Sequence, residues 1–222
     1  MQLTTEHYTD QKQRWPAEGE HILAQHDEAS VLVYQAYRPA IGNYALQHGH
    51  FGGPDFSFGR MSWIKPNFLW MMYRSGWGTK EGQEIILGLR LRRSFFDALL
   101  QRAVPSSFDP TRYASVEEWK AAVQHSDVRL QWDPDHAPDG TKETRRAIQL
   151  GLRGNALQDM AGPQLLEVMD FTGFVAEQRA HAMSDWSRLQ TPRETVYPHP
   201  TPAPPPTPTR TSANTSAAGP HH

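Results

Sequence analysis

Apolar side chains fall in two kinds of pattern along this chain. Residues 31–37 (VLVYQAY) are β-branched and aromatic and predict a buried strand. Residues 39–48 place Ile41, Tyr44 and Ala45 at helical spacing, with Pro39 in the first turn and Gly49 as the stop. Residues 50–58 contain Gly52, Gly53 and Pro54 and read as a loop. Residues 61–64 form a short extended piece, and Lys65, preceding a proline, is extended as well. Pro66 then opens a helix through about Arg74 that is apolar on all sides and hence buried.

Residues 84–91 (EIILGLRL) predict a second core strand. Ser94 is the expected cap of a helix over residues 95–103, with Asp97 at the capping-box position. Ser115 and Glu118 repeat that signature ahead of a helix over residues 116–124. Residues 127–132 alternate as a strand, residues 133–144 (DPDHAPDGTKET) form a polar loop, and residues 145–153 form another strand. A helical region is expected over residues 163–181, interrupted near Thr172 and Gly173.

Strands and helices interleave without a regular βαβ series, and no glycine fingerprint follows the first strand. The pattern predicts an α+β fold: a mixed, mainly antiparallel β-sheet core with peripheral helices. Residues 1–14 are expected to be a flexible N-terminus, residues 15–190 a single domain, and residues 191–222 a disordered, proline-rich tail. That tail carries PTPAPPPTPT and ends in His221 and His222; a spacer is the expected role.

Composition narrows the function classes. The absence of cysteine excludes disulfides, thiolate nucleophiles and cysteine-ligated zinc. No apolar run approaches the ~18 residues of a membrane span, and the polar first residues lack a signal-peptide core, so the expectation is a cytoplasmic protein without a membrane partner. The formal net charge of -2 is unevenly spread. Residues 1–30 are acidic, whereas residues 31–93 carry Arg38, Arg60, Lys65, Arg74, Lys80, Arg90, Arg92 and Arg93 against Asp55, Glu81 and Glu84. A basic middle suits a nucleotide-like anionic ligand; the competing reading spreads these charges over solvated faces.

Four groups of residues bear on chemistry. Arg60, Ser62 and Lys65 precede the helix opened by Pro66, whose N-terminal backbone N–H groups offer a phosphate cradle. Trp63, Trp70, Tyr73, Arg74 and Trp77 mix indoles and a cation; Trp70 and Tyr73 read as core, and Trp63 and Trp77 as partly exposed stacking surfaces. Gln35 and Tyr37 share one face of the first strand, and Arg38 stands at its exit as a ligand contact. Asp133, Asp135, His136 and Asp139 offer metal ligands on paper, but Asp, Pro and Gly in this order are ordinary turn chemistry, and no metal is assigned. No G-x-S-x-G, H-E-x-x-H or P-loop motif is present, so a hydrolase reading has no support.

Two resemblances bear on these residues. The stretch WIKPNFLWMMYRSGW at residues 63–77, with Tyr37-Arg38-Pro39, Phe51-Gly52-Gly53, Trp132-Asp133-Pro134-Asp135-His136 and residues 145–153 (RRAIQLGLR), resembles a bacterial and fungal domain family of unknown function. That resemblance spans roughly residues 15–180. A second resemblance is to the ADP-ribosyltransferase fold, in the order Arg38, Ser62-Trp63, Gln149. It implies an ADP-ribosyltransferase-like fold in which Arg38 holds NAD, Ser62 supports the nicotinamide side, and the position of Gln149 bears the catalytic residue. The chain departs from the pattern there, because those transferases use a glutamate. A neutral amide can bond a ribose hydroxyl but cannot take its proton, so Asp133 or His136 becomes the candidate base.

Two functions follow as expectations. One is an NAD-dependent transferase acting on a nucleic acid or small-molecule acceptor, with Tyr37, Arg38, Arg60, Ser62, Trp63, Lys65, Arg74 and Trp77 around NAD. The other is a non-catalytic nucleotide- or nucleic-acid-binding module. An acid beside the pocket separates them.

Overall fold

A computed structural model describes residues 2–198. In chain order these form β1 (Thr5–His7), α1 (Tyr8–Lys12), β2 (Gly19–Glu20), β3 (Leu23–Ala24), β4 (Ser30–Tyr37), α2 (Pro39–His48), β5 (Ser62–Ile64) and α3 (Phe68–Ser75). There follow β6 (Ile85–Arg92), α4 (Arg93–Arg102), β7 (Val104–Pro105), α5 (Val116–His125), β8 (Val128–His136) and β9 (Lys142–Leu152). The last elements are α6 (Gly154–Ala161), β10 (Leu165–Asp170), α7 (Thr172–Ala182), β11 (Gln190–Pro192) and β12 (Thr195–Val196).

The fold is α+β, with mixed, mostly antiparallel sheets. An antiparallel sheet has the order β10-β6-β4; a second has the order β2-β9-β8-β7, with β5 also pairing β9. Side chains of a strand alternate between faces, so β4 and β6 separate two apolar clusters. Val31 and Val33 of β4 and Leu87, Leu89 and Leu91 of β6 face one cluster, joined by Ile148, Leu150 and Leu152 of β9 and by Phe96 and Leu99 of α4. Leu32, Tyr34 and Ile86 face the other, with Phe68 and Met72 of α3 and Phe171 and Val175 at α7.

Besides sharing the first cluster, the two sheets are joined by a hydrogen-bonded bridge. Tyr34 N–H donates to the Lys65 carbonyl (2.7 Å) and Lys65 N–H to the Tyr34 carbonyl (3.2 Å), an antiparallel bridge between β4 and the residue after β5. Farther along β4, side chains span the gap instead: Gln35 Nε2 donates to Ser62 Oγ (2.7 Å) and to the Trp63 carbonyl (3.1 Å). That replacement of a backbone ladder by side chains leaves a crevice beside the exit of β4.

The predicted elements β4, α2, β5 and β6 are present with boundaries shifted by at most a residue or two. Gly49, at φ 71°, ends α2, as its freedom in left-handed backbone allows. Ser115 caps α5 as expected, accepting from Glu118 N–H (3.1 Å), while Glu118 reaches back one residue further, accepting from Ala114 N–H (2.8 Å) rather than closing the box on Ser115 itself.

Several expectations are corrected. The helix opened by Pro66 begins at Phe68, because Asn67 caps it by accepting from Trp70 N–H (2.7 Å). α4 begins at Arg93, and Asp97 accepts from the Tyr197 hydroxyl (2.6 Å) rather than closing a capping box. The polar stretch from Asp133 stays in β8 as far as His136, which pairs with Lys142; only residues 137–141 turn. Asp135 tolerates this buried position because Arg145, across the hairpin, donates to its Oδ2 from Nε (2.8 Å) and NH2 (2.6 Å). Leu165–Asp170, expected as helix, is β10, since the edge of β6 supplies a ladder.

The terminal segments complete the corrections. The N-terminus is not loose: β1 pairs with β11, and Tyr8 and Gln11 are buried. Residues 191–198, assigned to the tail, are also built in: β12 pairs with β3, and Thr191, Glu194 and Tyr197 are buried. Gln11 ties the two together, donating to Thr191 Oγ1 (2.8 Å) and accepting from Glu194 N–H (2.8 Å). The rest of the proline-rich segment, with His221 and His222, lies outside the described residues.

Candidate functional site

The crevice where β4 and β5 part opens into a cavity of about 680 Å³, within the ~300–1,000 Å³ range of small-molecule sites. Its walls come from the end of β4 and its exit, the loop before β5, β5 itself, the inner side of α3 and the middle of β9. Each wall follows from a local rule. Alternation on β4 puts Gln35 and Tyr37 on one face. Pro39 starts α2 and leaves Arg38 in extended backbone at its N-cap. The bridge to Tyr34 anchors Lys65, and the helical turn of α3 carries Met71 and Arg74 to the same side, three residues apart.

Arg38, Arg60, Lys65 and Arg74 all line the cavity, with Asp55 as the carboxylate among the lining residues. Arg38 is matched to that carboxylate (NH2 to Oδ1, 2.7 Å), a half-exposed pair of low net value. Among the described residues, no side-chain hydrogen bond or ion pair engages Arg60 or Arg74, both exposed at the rim. Lys65 is the interior cation, 5% exposed. Burial first, then Arg74 nearby, brings its pKa down to about 8, against the opposing pull of Asp133.

Ser62 Oγ accepts from Gln35 and shares a 2.7 Å hydrogen bond with the Tyr37 hydroxyl. Burial pushes the Tyr37 phenol up to about 12, so it remains a neutral hydrogen-bonding group. Trp63 presents part of its ring to the cavity, and it can lie flat because of Gly151. A Cβ at Gly151 would stand 2.9 Å from Trp63 Cζ2 and 2.6 Å from Met61 Sδ.

On β9, Gln149 Nε2 donates to Asp133 Oδ2 (2.7 Å), and Asp133 Oδ1 accepts from Gln131 Nε2 (2.8 Å). Asp133 therefore stands behind Gln149 and takes up one of its amide hydrogens, leaving Oε1 as the acceptor with no donor among the described residues.

Tyr37, Arg38, Arg60, Ser62, Trp63, Lys65, Arg74 and Gln149, singled out in the sequence, thus surround one cavity, with Asp133 in its wall's second layer. Three expectations fail. Trp77 is buried in the second apolar cluster, where Nε1 donates to the Pro138 carbonyl (3.0 Å), away from this cavity. His136 is 2% exposed and stacked on Tyr73, ring centroids 3.5 Å apart, with Trp70 at 5.3 Å; it does not line the cavity, and burial lowers its pKa. The phosphate cradle at the start of α3 is occupied by protein: Glu194 Oε1 accepts from Phe68 N–H (2.7 Å), and Asn67 accepts from Trp70 N–H. Sequence reasoning missed Asp55 as the partner of Arg38, Gly151 as the seat of Trp63, and Glu194 as the cap of α3. Only Gly151, a glycine inside a strand pattern, carried a local signal of close approach.

The structure is thus an α+β domain with a cation-lined crevice between two sheets. The chain belongs to the family described as Domain of unknown function (DUF4291), which matches residues 21–197. No curated protein matches the chain. No helix among the described residues is long and apolar enough to cross a membrane.

Proposed function

We propose that this domain is an NAD-dependent, ADP-ribosyltransferase-like enzyme that modifies a nucleic-acid or small-molecule acceptor. One observation carries the reading: guanidinium groups without a side-chain partner among the described residues, a partly exposed indole, a serine hydroxyl and Gln149, backed by Asp133, converge on a single cavity of about 680 Å³.

Arg60 and Arg74 are placed to take the diphosphate, each guanidinium offering a planar fork of donors. Trp63 offers a face for nicotinamide, and Ser62, already oriented by Gln35 and Tyr37, a hydroxyl for its carboxamide. In the reaction, the ribose C1′–nicotinamide bond breaks, the acceptor's oxygen or nitrogen bonds C1′, and the acceptor loses a proton. Gln149 Oε1 accepts from a ribose hydroxyl and turns its dipole toward the developing positive charge on the ring. Asp133, hydrogen-bonded to Gln149, holds that orientation, and the acceptor's proton passes to solvent.

The test is calorimetric titration with NAD, paired with an assay of nicotinamide release. Wild type is expected to bind, and Arg74→Ala to bind roughly tenfold or more weakly, about 1.4 kcal/mol or above for one lost charge-assisted contact. Absence of both NAD binding and nicotinamide release with DNA, RNA and nucleoside acceptors sinks the proposal. A second reading, a binding module without catalysis, is favoured by the neutral Gln149 at the position of the catalytic acid. It predicts binding of single strands that weakens steeply with salt and no nicotinamide release.

A further inference from the structure

Lys65 is an unusual residue for a cavity wall. Lysine is rarely buried unless an anion pairs with it, because an ammonium loses its hydration without compensation. Here the residue is 5% exposed, yet among the described residues no hydrogen bond or ion pair engages Nζ; the nearest aromatic ring is Trp70, centroid 6.0 Å away. Its backbone is pinned on both sides by Tyr34, and Pro66 follows, so the side chain projects from a fixed base into the cavity it lines. The other lysines are unlike it. Lys12 is paired with Glu143, Lys80 donates to the carbonyl of Arg74, and Lys120 and Lys142 are exposed.

A buried, unpaired amine beside two anion-binding guanidinium groups matches one chemical need: capture of a carbonyl compound that also carries phosphate. We propose that Lys65 forms a reversible imine with a phosphorylated aldehyde or ketone, such as an open-chain sugar phosphate, whose phosphate is held by Arg60 and Arg74. The neutral amine adds to the carbonyl carbon, forming the N–C bond and a carbinolamine. The first amine hydrogen passes to the former carbonyl oxygen in the carbinolamine; that oxygen then leaves as water with the second amine hydrogen, and a C=N bond remains. Addition of water reverses the sequence, and no oxidant or reductant takes part. The lowered pKa of Lys65, about 8, supplies neutral amine at physiological pH where an exposed lysine supplies almost none. The inference rests on the reading of this cavity as an anion site, but not on NAD chemistry.

The test uses the full chain with substoichiometric pyridoxal 5′-phosphate, trapping by borohydride, and peptide mapping of the modified lysine. Lys65 is expected to be labelled roughly tenfold or more over each other lysine, given its larger neutral fraction. Its labelling should follow a pH midpoint near 8, and phosphate-free pyridoxal should label it poorly. Labelling confined to Lys12, Lys80, Lys120 and Lys142 overturns the proposal, as does equal labelling of Lys65 by pyridoxal lacking phosphate. A parallel arm adds ADP-ribose as protectant. If Lys65 is labelled selectively but ADP-ribose gives no protection, the imine proposal stands and the nucleotide reading of the cavity fails.

Discussion

At the residue scale, two glycines set geometry that no side chain could. Gly88 lies in β6 opposite Phe171, and a Cβ there would meet Phe171 Cε2 at 2.3 Å and Cδ2 at 2.8 Å. The ring is 1% exposed and packed on Tyr34 and Phe68, so it has nowhere to go. Gly88→Ala is therefore expected to lower stability by roughly 1–3 kcal/mol, the usual cost of overpacking, read by urea unfolding. Gly151→Ala has a different consequence. Its clash is with the Met61 thioether and the Trp63 ring, both at the cavity, so ligand affinity should fall more than stability does. Equal affinity for NAD in wild type and Gly151→Ala would show that Trp63 does not stack on the ligand.

At the element scale, α3 depends on a residue far away in sequence. The helix is apolar on nearly every side, as its sequence predicts, yet its first N–H groups are buried and need acceptors. Asn67 serves one, and Glu194 Oε1 serves Phe68 N–H. Glu194→Ala strands that donor and should cost about 1–3 kcal/mol, whereas Glu194→Gln retains a carbonyl acceptor and should cost less. Burial holds the Glu194 carboxyl well above the ordinary carboxylate range. The folded chain therefore holds this proton more tightly than the unfolded chain. The stabilisation is fully present below the model-peptide value of 4.5 and declines as pH rises from there toward the raised folded value. Unfolding free energies across the acidic-to-neutral range should show that decline in wild type and a flatter profile in Glu194→Gln.

At the scale of the whole molecule, the two ends of the described chain act as a clasp. β1 pairs with β11, β12 with β3, and Trp15 Nε1 donates to the Glu194 carbonyl (2.9 Å). Arg145, buried with Asp135, reaches the Pro16 carbonyl (2.6 Å) and lies over the Trp15 ring, 5.3 Å from its centroid. The same clasp caps α3, and α3 carries Arg74 to the cavity. A chain ending at residue 190 should therefore unfold at lower temperature and lose ligand affinity relative to one ending at residue 198. Matching melting temperatures for the two would remove the clasp from the account of stability.

Local physics made much of this protein readable from its sequence. Continuous apolar, β-branched runs specified β4 and β6, Pro39 and Gly49 bounded α2, and Ser115 with Glu118 marked the start of α5, because each signal is contained within a few neighbouring residues. Residue type also nominated much of the cavity wall, a cation at a strand exit and a serine and indole on a short strand, whereas Gln149 on β9 was singled out through the resemblance to the ADP-ribosyltransferase fold. Other features were decided by partners distant in the chain. Whether Leu165–Asp170 became strand or helix depended on the free edge of β6. Asp133–His136 could remain in β8 only because Lys142–Leu152 pairs beside it and Arg145 neutralises Asp135. Trp77 and His136 left the candidate site, since an aromatic ring goes wherever it buries most surface, and neighbouring rings settle that place. The start of α3 was lost as a phosphate cradle to Glu194, a residue more than 100 positions away. Such choices are made by side chains competing for the same buried donors, acceptors and strand edges, and that competition exists only once the chain has folded.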